Sequence, residues 1–351
     1  MSRTKSSSRL CLSIALLLLA AALAAGAESA APTTPQPPQQ QSKIWGWWPL
    51  LPWDRQATVA SPLADSLNAP FDLSRKGKVG EQRRYQIRRT NLTVGRTGAP
   101  ASRMVAEAQL LRTLVREVEP GLWVEQCEWE RFAAAQAMTP DDYPAPQELP
   151  SARGISFEFS PRAFDYVNAP ADFARVGDEM AGYLLKVLTM DAMGWDAILL
   201  TLRDQFGKEI RIGDTWRETK WEPWDISRVG GEGLIGQYQA GEMQVSVAGI
   251  TRRQGQPCLL IWFSMEGNKV TQRVDNPMFA MEMEATEYFR GEMTVSLLDG
   301  HVVGMELTGP LPCVLKMGFG GQPATEQPIG AIIQQVSMWE IPVAGEKAPA
   351  G

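Results

Sequence analysis

Histidine is the side chain that most often moves protons near neutral pH, and this chain has a single one, His301. It follows Asp299-Gly300, a tight-turn dipeptide. A general base or a metal ligand needs a supported pocket, and a hairpin shoulder is expected to be exposed. His301 is therefore not read as catalytic. Carboxylates come next. Glu282, Glu284 and Glu287 cluster, as do Asp141 and Asp142. Glu282 and Glu284 alternate with Phe279, Met281, Met283 and Ala285, which places them on the polar face of a strand rather than facing each other as acid and base. The sequence holds no phosphate-binding glycine loop, no G-x-S-x-G, no C-x-x-C and no calcium-loop spacing. No catalytic residue, metal site or cofactor is assigned, and a carboxylate-dependent hydrolase is the least favoured reading.

Binding residues are easier to find. The stretch 43-KIWGWWPLLPWD-54 carries Trp45, Trp47, Trp48 and Trp53, with Pro49 and Pro52 excluding a regular helix. Indoles in a short extended segment either partition into a lipid–water interface or dock in an apolar groove. Trp216, Trp221 and Trp224 form a second group, which caps the sheet or lines a ligand mouth. Nine of fifteen methionines follow residue 239, and Met281 and Met283 alternate inward on one strand. Thioethers adapt to variable apolar ligands and also fill irregular cores. Arg83, Arg84, Arg88 and Arg89 form a basic run; it fits an anionic partner, or an edge strand guarded by charge.

The ends and the composition set the compartment. Arg3, Lys5 and Arg9 precede 12-LSIALLLLAAALAAGA-27, which ends in a small-x-small cleavage site. That apolar run is shorter than the roughly 20 residues of a membrane span. Cleavage after Ala27 would leave 351 − 27 = 324 residues and a net charge of −6 − 3 = −9. Such an excess of negative charge argues against nucleic acid as a partner. The expectation is an exported protein, periplasmic or extracellular and soluble, with an uncleaved anchor as the alternative. Cys127, Cys258 and Cys313 remain after processing, and Cys258 with Cys313 is the better candidate disulfide. Nothing fixes an oligomeric state.

Residues 28–77 read as a Pro/Gln-rich linker. Alternation marks strands at 82–94 and 154–161, and 121–132 reads as a strand after a Pro120-Gly121 turn. Segment 103–118 fits either a helix or strands, and 133–152 reads as a loop. Phe173, Val176, Met180, Tyr183, Leu184, Val187 and Leu188 make one helical stripe; Trp195, Ile198, Leu199, Leu202 and Phe206 make a second, stopped by Gly207. Strands return after Gly213, with 291-GEMTVSLLDGHVVGMELTG-309 a hairpin and 330–341 a last strand. Residues 344–351 read as a disordered tail. Three glycine landmarks recur at close offsets: Gly80 and Gly213 (213 − 80 = 133), Gly121 and Gly255 (134), Gly154 and Gly291 (137). They point to two related units, 78–207 and 208–343.

Strands, helices, a second set of strands opened by G-D-T-W, and the closing G-E-M-T-V-S-L-L-D-G-H-V-V-G-M-E-L together resemble exported bacterial proteins with the open half-barrel form of the periplasmic lipoprotein-carrier family. The resemblance spans roughly 78–341. It implies an α+β fold, mostly antiparallel β, in which curved sheets wrap helices and shelter an acyl chain. No binding residue carries over position by position. The resulting expectation is a non-enzymatic cell-envelope binding protein for an apolar or lipid-like ligand. The alternative is an assembly factor that docks an envelope protein through the tryptophan segment, with peripheral membrane contact.

Overall fold

A computed structural model describes residues 70–137, 145–160, 165–168, 209–219, 223–225, 234–276, 279–319, 322–327 and 329–341, and twelve positions within 185–204. The chain's alternating segments become strands because each carries side chains for two different surroundings. In β1 (Gln82–Gly95), Tyr85 and Ile87 are buried while Arg88 is exposed. The segment left open between helix and strand is β2 (Pro100–Glu119), and β3 (Leu122–Ala137) extends into the region expected to be a loop. Two-residue β4 (Gln147–Glu148) joins β3, and β5 (Ser156–Ser160) and β6 (Asp165–Asn168) follow outward.

The later strands are β7 (Thr215–Glu218), β8 (Trp224–Asp225), β9 (Leu234–Gln239), β10 (Glu242–Arg253), β11 (Gln256–Asn276), β12 (Phe279–Ser296), β13 (Val302–Phe319), β14 (Thr325–Glu326) and β15 (Ile329–Ile341). All form one open, curved sheet whose main path runs β6-β5-β3-β2-β1-β15-β13-β12-β11-β10-β7, with β4 on β3, β14 on β13, β9 on β11 and β8 on β9. Each half is a meander. The seam is the antiparallel pair β1–β15, which joins the chain's first long strand to its last over Arg84↔Ile341 to Gly95↔Ile329. The described strands thus form one continuous sheet rather than two separate ones.

Register fixes what faces inward. One row runs Trp216–Val245–Phe263–Gly291–Leu307–Val336–Arg89–Ala106–Ala134 across nine strands. The next runs Val247–Ile261–Met293–Met305–Met338–Ile87–Ala108–Phe132. Apart from Arg89 and Gly291 these rows are apolar, and most members are buried in one core. Helical residues of 185–204 pack on this face: Leu185, Leu188, Ala192, Ile198, Leu199 and Leu202 belong to the same core. The outer face carries ion pairs such as Arg84–Glu130 and Arg88–Glu107. It also holds the Arg253 guanidinium 4.8 Å from the Trp339 ring centre.

Two irregularities shape β11 to β13. Gly267 (φ 77°) sits at a register shift between Glu266 and Asn268, a bulge only glycine enters cheaply. It lets β11 pair with β10 on one side of the bulge and with β9 on the other. Pairing of β12 with β13 is interrupted between Ala285 and Arg290, opposite Gly309, Pro310 and Pro312; proline has no N–H to give the ladder. A Cβ on Gly309 would lie 1.7 Å from the Tyr288 carbonyl oxygen.

The linker expected over 28–77 is too long at its C-terminal end. Phe71 bridges Ile210, Leu73 is fully buried, and the Lys76 N–H donates to the Asp299 carbonyl at 2.8 Å. The glycine landmarks fare differently. At Gly80 and Gly213 the same turn forms: Gly80 N–H donates to Leu114 O and Gly213 N–H to Val247 O, both at 2.8 Å. Leu114 and Val247 each return a bond, at 2.9 Å, to Glu81 O and Asp214 O. Gly121 and Gly255 each occupy a positive-φ turn. Gly154 is also a positive-φ turn residue, but Gly291 lies inside β12 with the Phe263 ring where its side chain would be.

Candidate functional site

Two buried polar groups interrupt the inner face. The first closes one end of the sheet, where β1 starts and β15 ends. Arg83 is in phase with Tyr85 and so points inward. Its guanidinium pairs with Asp299 and reaches Glu340 Oε1 at 2.8 Å and Glu81 Oε1 at 2.8 Å. His301 lies between the same acids: Nδ1 is 2.5 Å from Asp299 Oδ1, and Nε2 is 2.9 Å from Glu340 Oε2 and 3.1 Å from Arg83 Nη1. Beside it, Glu125 accepts from Arg75 at 2.6 Å and from Arg112 at 2.7 Å, and the Tyr85 hydroxyl donates to Val302 O at 2.9 Å.

His301 corrects the expectation from sequence: it is 1 % exposed, not a solvated shoulder. The segment 70–80 and the helical Arg203, which donates to Gly121 O and Gly300 O at 3.1 Å each, cover the turn. Burial alone would raise the Asp299 and Glu340 carboxyls. Hydrogen bonds from His301, with the charges of His301 and Arg83, outweigh it and hold both below the usual range. Burial likewise works on Glu125, where Arg112 and Arg75 win and lower it. A cleft with about 20 Å³ of space for water lies among Arg75, Trp123, Glu125, Arg203 and His301, enough for a single water. Both ring nitrogens of His301 are engaged within the protein, so the cluster ties segment 70–80, the β12–β13 turn and β15 together rather than presenting a base to a substrate.

The second polar group crosses the middle of the sheet. Arg89 donates from Nη1 to both oxygens of Asp191, at 2.7 Å each, from Nε to Asn91 Oδ1 at 3.1 Å, and from Nη2 to Gln334 Oε1. Gln334 donates onward to Glu287 at 2.9 Å. Glu287 also accepts from the Tyr238 hydroxyl at 3.1 Å and Asn268 Nδ2 at 3.4 Å. Burial pushes the Asp191 carboxyl upward by more than Arg89 draws it down.

The sequence-predicted residues distribute as follows. Met281 is buried and Met283 packs against the core; Trp216 packs there too, at the edge of the first inward row. Trp224 lies in β8 opposite Tyr238. Trp45, Trp47, Trp48, Trp53 and Trp221 lie outside the described residues. Each arginine of the basic run has a carboxylate: Arg83 as above, Arg84 with Glu130, Arg88 with Glu107 at 3.5 Å, Arg89 with Asp191. The run therefore divides between the two faces of β1 and does not form one open patch. The Cys258–Cys313 bridge is corrected: both thiols are free and buried. Cys258 pairs with Ser296 and Cys313 with Ala285, positions 296 − 285 = 11 residues apart along β12. At ~3.3 Å per residue that is about 36 Å, far beyond disulfide reach.

Among the described residues no group of three or more His, Cys, Asp or Glu side chains is placed to hold a metal ion, and no helix is long and apolar enough to cross a membrane. No protein-family model matches the chain, and no curated protein matches its sequence. Among solved structures it is similar to an exported protein of YmcC-like fold from Bacteroides fragilis, at 10 % identity, covering 76 % of this chain and 97 % of that one, with a TM-score of 0.17. It is also similar to OmpT, an outer membrane protein of Vibrio cholerae, at 8 % identity, covering 75 % and 100 %, with a TM-score of 0.17. Overlaps this low carry no argument about function.

Proposed function

We propose that this chain is an exported, non-enzymatic binding protein whose curved sheet cups an apolar or lipid-like ligand. One observation carries the reading: Met243, Met265, Met281, Met293, Met305, Met317 and Met338 all lie buried on the inner face of adjacent strands from β10 to β15. They fall in three groups along the sheet, Met281 beside Met317, Met243 beside Met265, and Met293, Met305 and Met338 in one row, and thioethers adapt to variable apolar shapes. The two halves of the sheet are read as related units, and the matching hydrogen bonds at Gly80 and Gly213 support that reading. The same methionines would serve a closed core, and a titration separates the two uses. Adding N-phenyl-1-naphthylamine to the purified full chain is expected to give a saturable fluorescence rise at about one probe per chain. A linear, unsaturable response would remove the proposal.

A second reading has one observation in its favour. Segment 70–80 is fastened to the sheet's end through Leu73, Arg75 and Lys76, so the upstream tryptophan segment is tethered to a fixed point. In that reading the tryptophans engage an envelope partner. Deleting residues 43–54 without changing localisation or partners would remove it.

A further inference from the structure

Resting on the apolar-ligand reading, we infer that Arg89 is a headgroup anchor and that the guest is an amphiphile with a carboxylate head, such as a long-chain fatty acid. Arg89 is the charged member of an inward row that is otherwise Trp, Val, Phe, Gly, Leu and Ala. Its neighbours in register are Val336 and Ala106, and Leu307 and Ala134 lie one strand further out. The side chains flanking the guanidinium are therefore apolar, and they are buried in the core under the helical segment, so an apolar tail would take the place of helical side chains there.

The geometry at Arg89 already displays the recognition. Asn91 and Gln334, both from the sheet, hold Nε and Nη2 and so fix the plane of the guanidinium. Nη1 faces both oxygens of a carboxylate, and that carboxylate comes from the helical segment: Asp191. Asp191 thus stands where the head of a fatty acid would sit. Burial pushes its carboxyl up by more than Arg89 draws it down, and a carboxylate on a guest would face the same burial. A guest carboxylate would make the same two contacts while its tail adds apolar burial, and Asp191 would turn out to water. The acid nearest in the network, Glu287, is bound to Gln334, Tyr238 and Asn268, and it orients Gln334 without occupying Arg89.

The test is displacement of N-phenyl-1-naphthylamine from the full chain by hexadecanoate and by methyl hexadecanoate. These share a tail and differ in head charge. The acid is expected to displace the probe at a concentration about tenfold lower than the ester, the scale of one charge-assisted hydrogen-bonded contact. Arg89→Gln is expected to abolish that preference. Asp191→Asn, which removes the internal competitor and keeps the shape, is expected to widen it, and it decides the matter should Arg89→Gln fail to fold. Equal displacement by acid and ester in the unaltered protein, or a preference unchanged in Asp191→Asn, overturns the headgroup assignment and leaves the apolar-ligand reading standing. Failure of the probe to bind at all overturns both.

Discussion

Replacing His301 by alanine removes the group that holds two buried carboxylates in place. His301 is 1 % exposed, and the Asp299 and Glu340 side chains are 23 % and 14 % exposed, so little water is available to replace the imidazole. Two charge-assisted hydrogen bonds are lost, and Asp299 and Glu340 then share Arg83. A hydrogen bond to a buried charged group is worth about 1.5–3 kcal/mol, so losing both costs about 3–5 kcal/mol. At roughly 2–3 °C per kcal/mol for a chain of this size, the melting temperature should fall by about 6–15 °C. The pH dependence distinguishes this cause from simple loss of packing. Both carboxyls are held below their ordinary values of 3.8 and 4.5 in the folded protein. Their contribution is therefore complete above those values and lost as the pH falls through the lower, folded ones. The gap between the two proteins should narrow in acid, as the pH falls through the lowered carboxyl values. Thermal melting followed by circular dichroism from pH 7 to pH 3 reads both quantities. A melting point within 2 °C of the unaltered protein, or a gap that stays constant into acid, would refute the reasoning.

Further outcomes follow from the same geometry. Gly309→Ala forces a Cβ to 1.7 Å from a backbone oxygen, whereas Gly249→Ala meets no atom within 4 Å. The first should cost at least the ~1–3 kcal/mol of an overpacked core and the second under about 1 kcal/mol, read by urea unfolding. Tyr85→Phe leaves the Val302 carbonyl without its donor and should cost about 1–2 kcal/mol by the same assay. Burial pushes the Cys258 and Cys313 thiols up to about 11, so both should react slowly with a disulfide reagent at pH 8 in the folded chain and promptly in urea. Reducing agent should leave the electrophoretic mobility of the monomer unchanged.

Much of the sheet was readable from alternation. The last strand emerges within a residue of expectation and the hairpin turns at Asp299-Gly300 as expected, because each needs only local turn chemistry and a two-residue period, but the hairpin's arms run on to Phe279 and Phe319, well beyond 291–309. The buried charges also left a trace. Arg83 and Arg89 fall in phase with Tyr85 and Ile87, and Glu125 falls between Trp123 and Cys127, so each is a charge on the apolar phase of a strand. What alternation could not supply is the partner. Arg89 and Asp191 are 102 residues apart and His301 and Glu340 are 39 apart; the first meeting depends on how the helical segment packs on the sheet and the second on the β13–β15 pairing. The disulfide expectation failed for the same reason. Nearness in sequence half said nothing about where along β12 the neighbours of Cys258 and Cys313 attach. His301 was misjudged because a turn is exposed only when no other segment covers it, and residues 70–80 do.

The central claim is that the methionine-lined inner face receives an apolar guest. Native mass spectrometry of the full chain, purified without detergent from cells that export it, tests this most directly. The account predicts a second charge-state series, heavier by one lipid-sized molecule, that collapses to the bare chain after organic extraction. A single series at the bare mass, in a protein that also fails to take up added fatty acid, would contradict it.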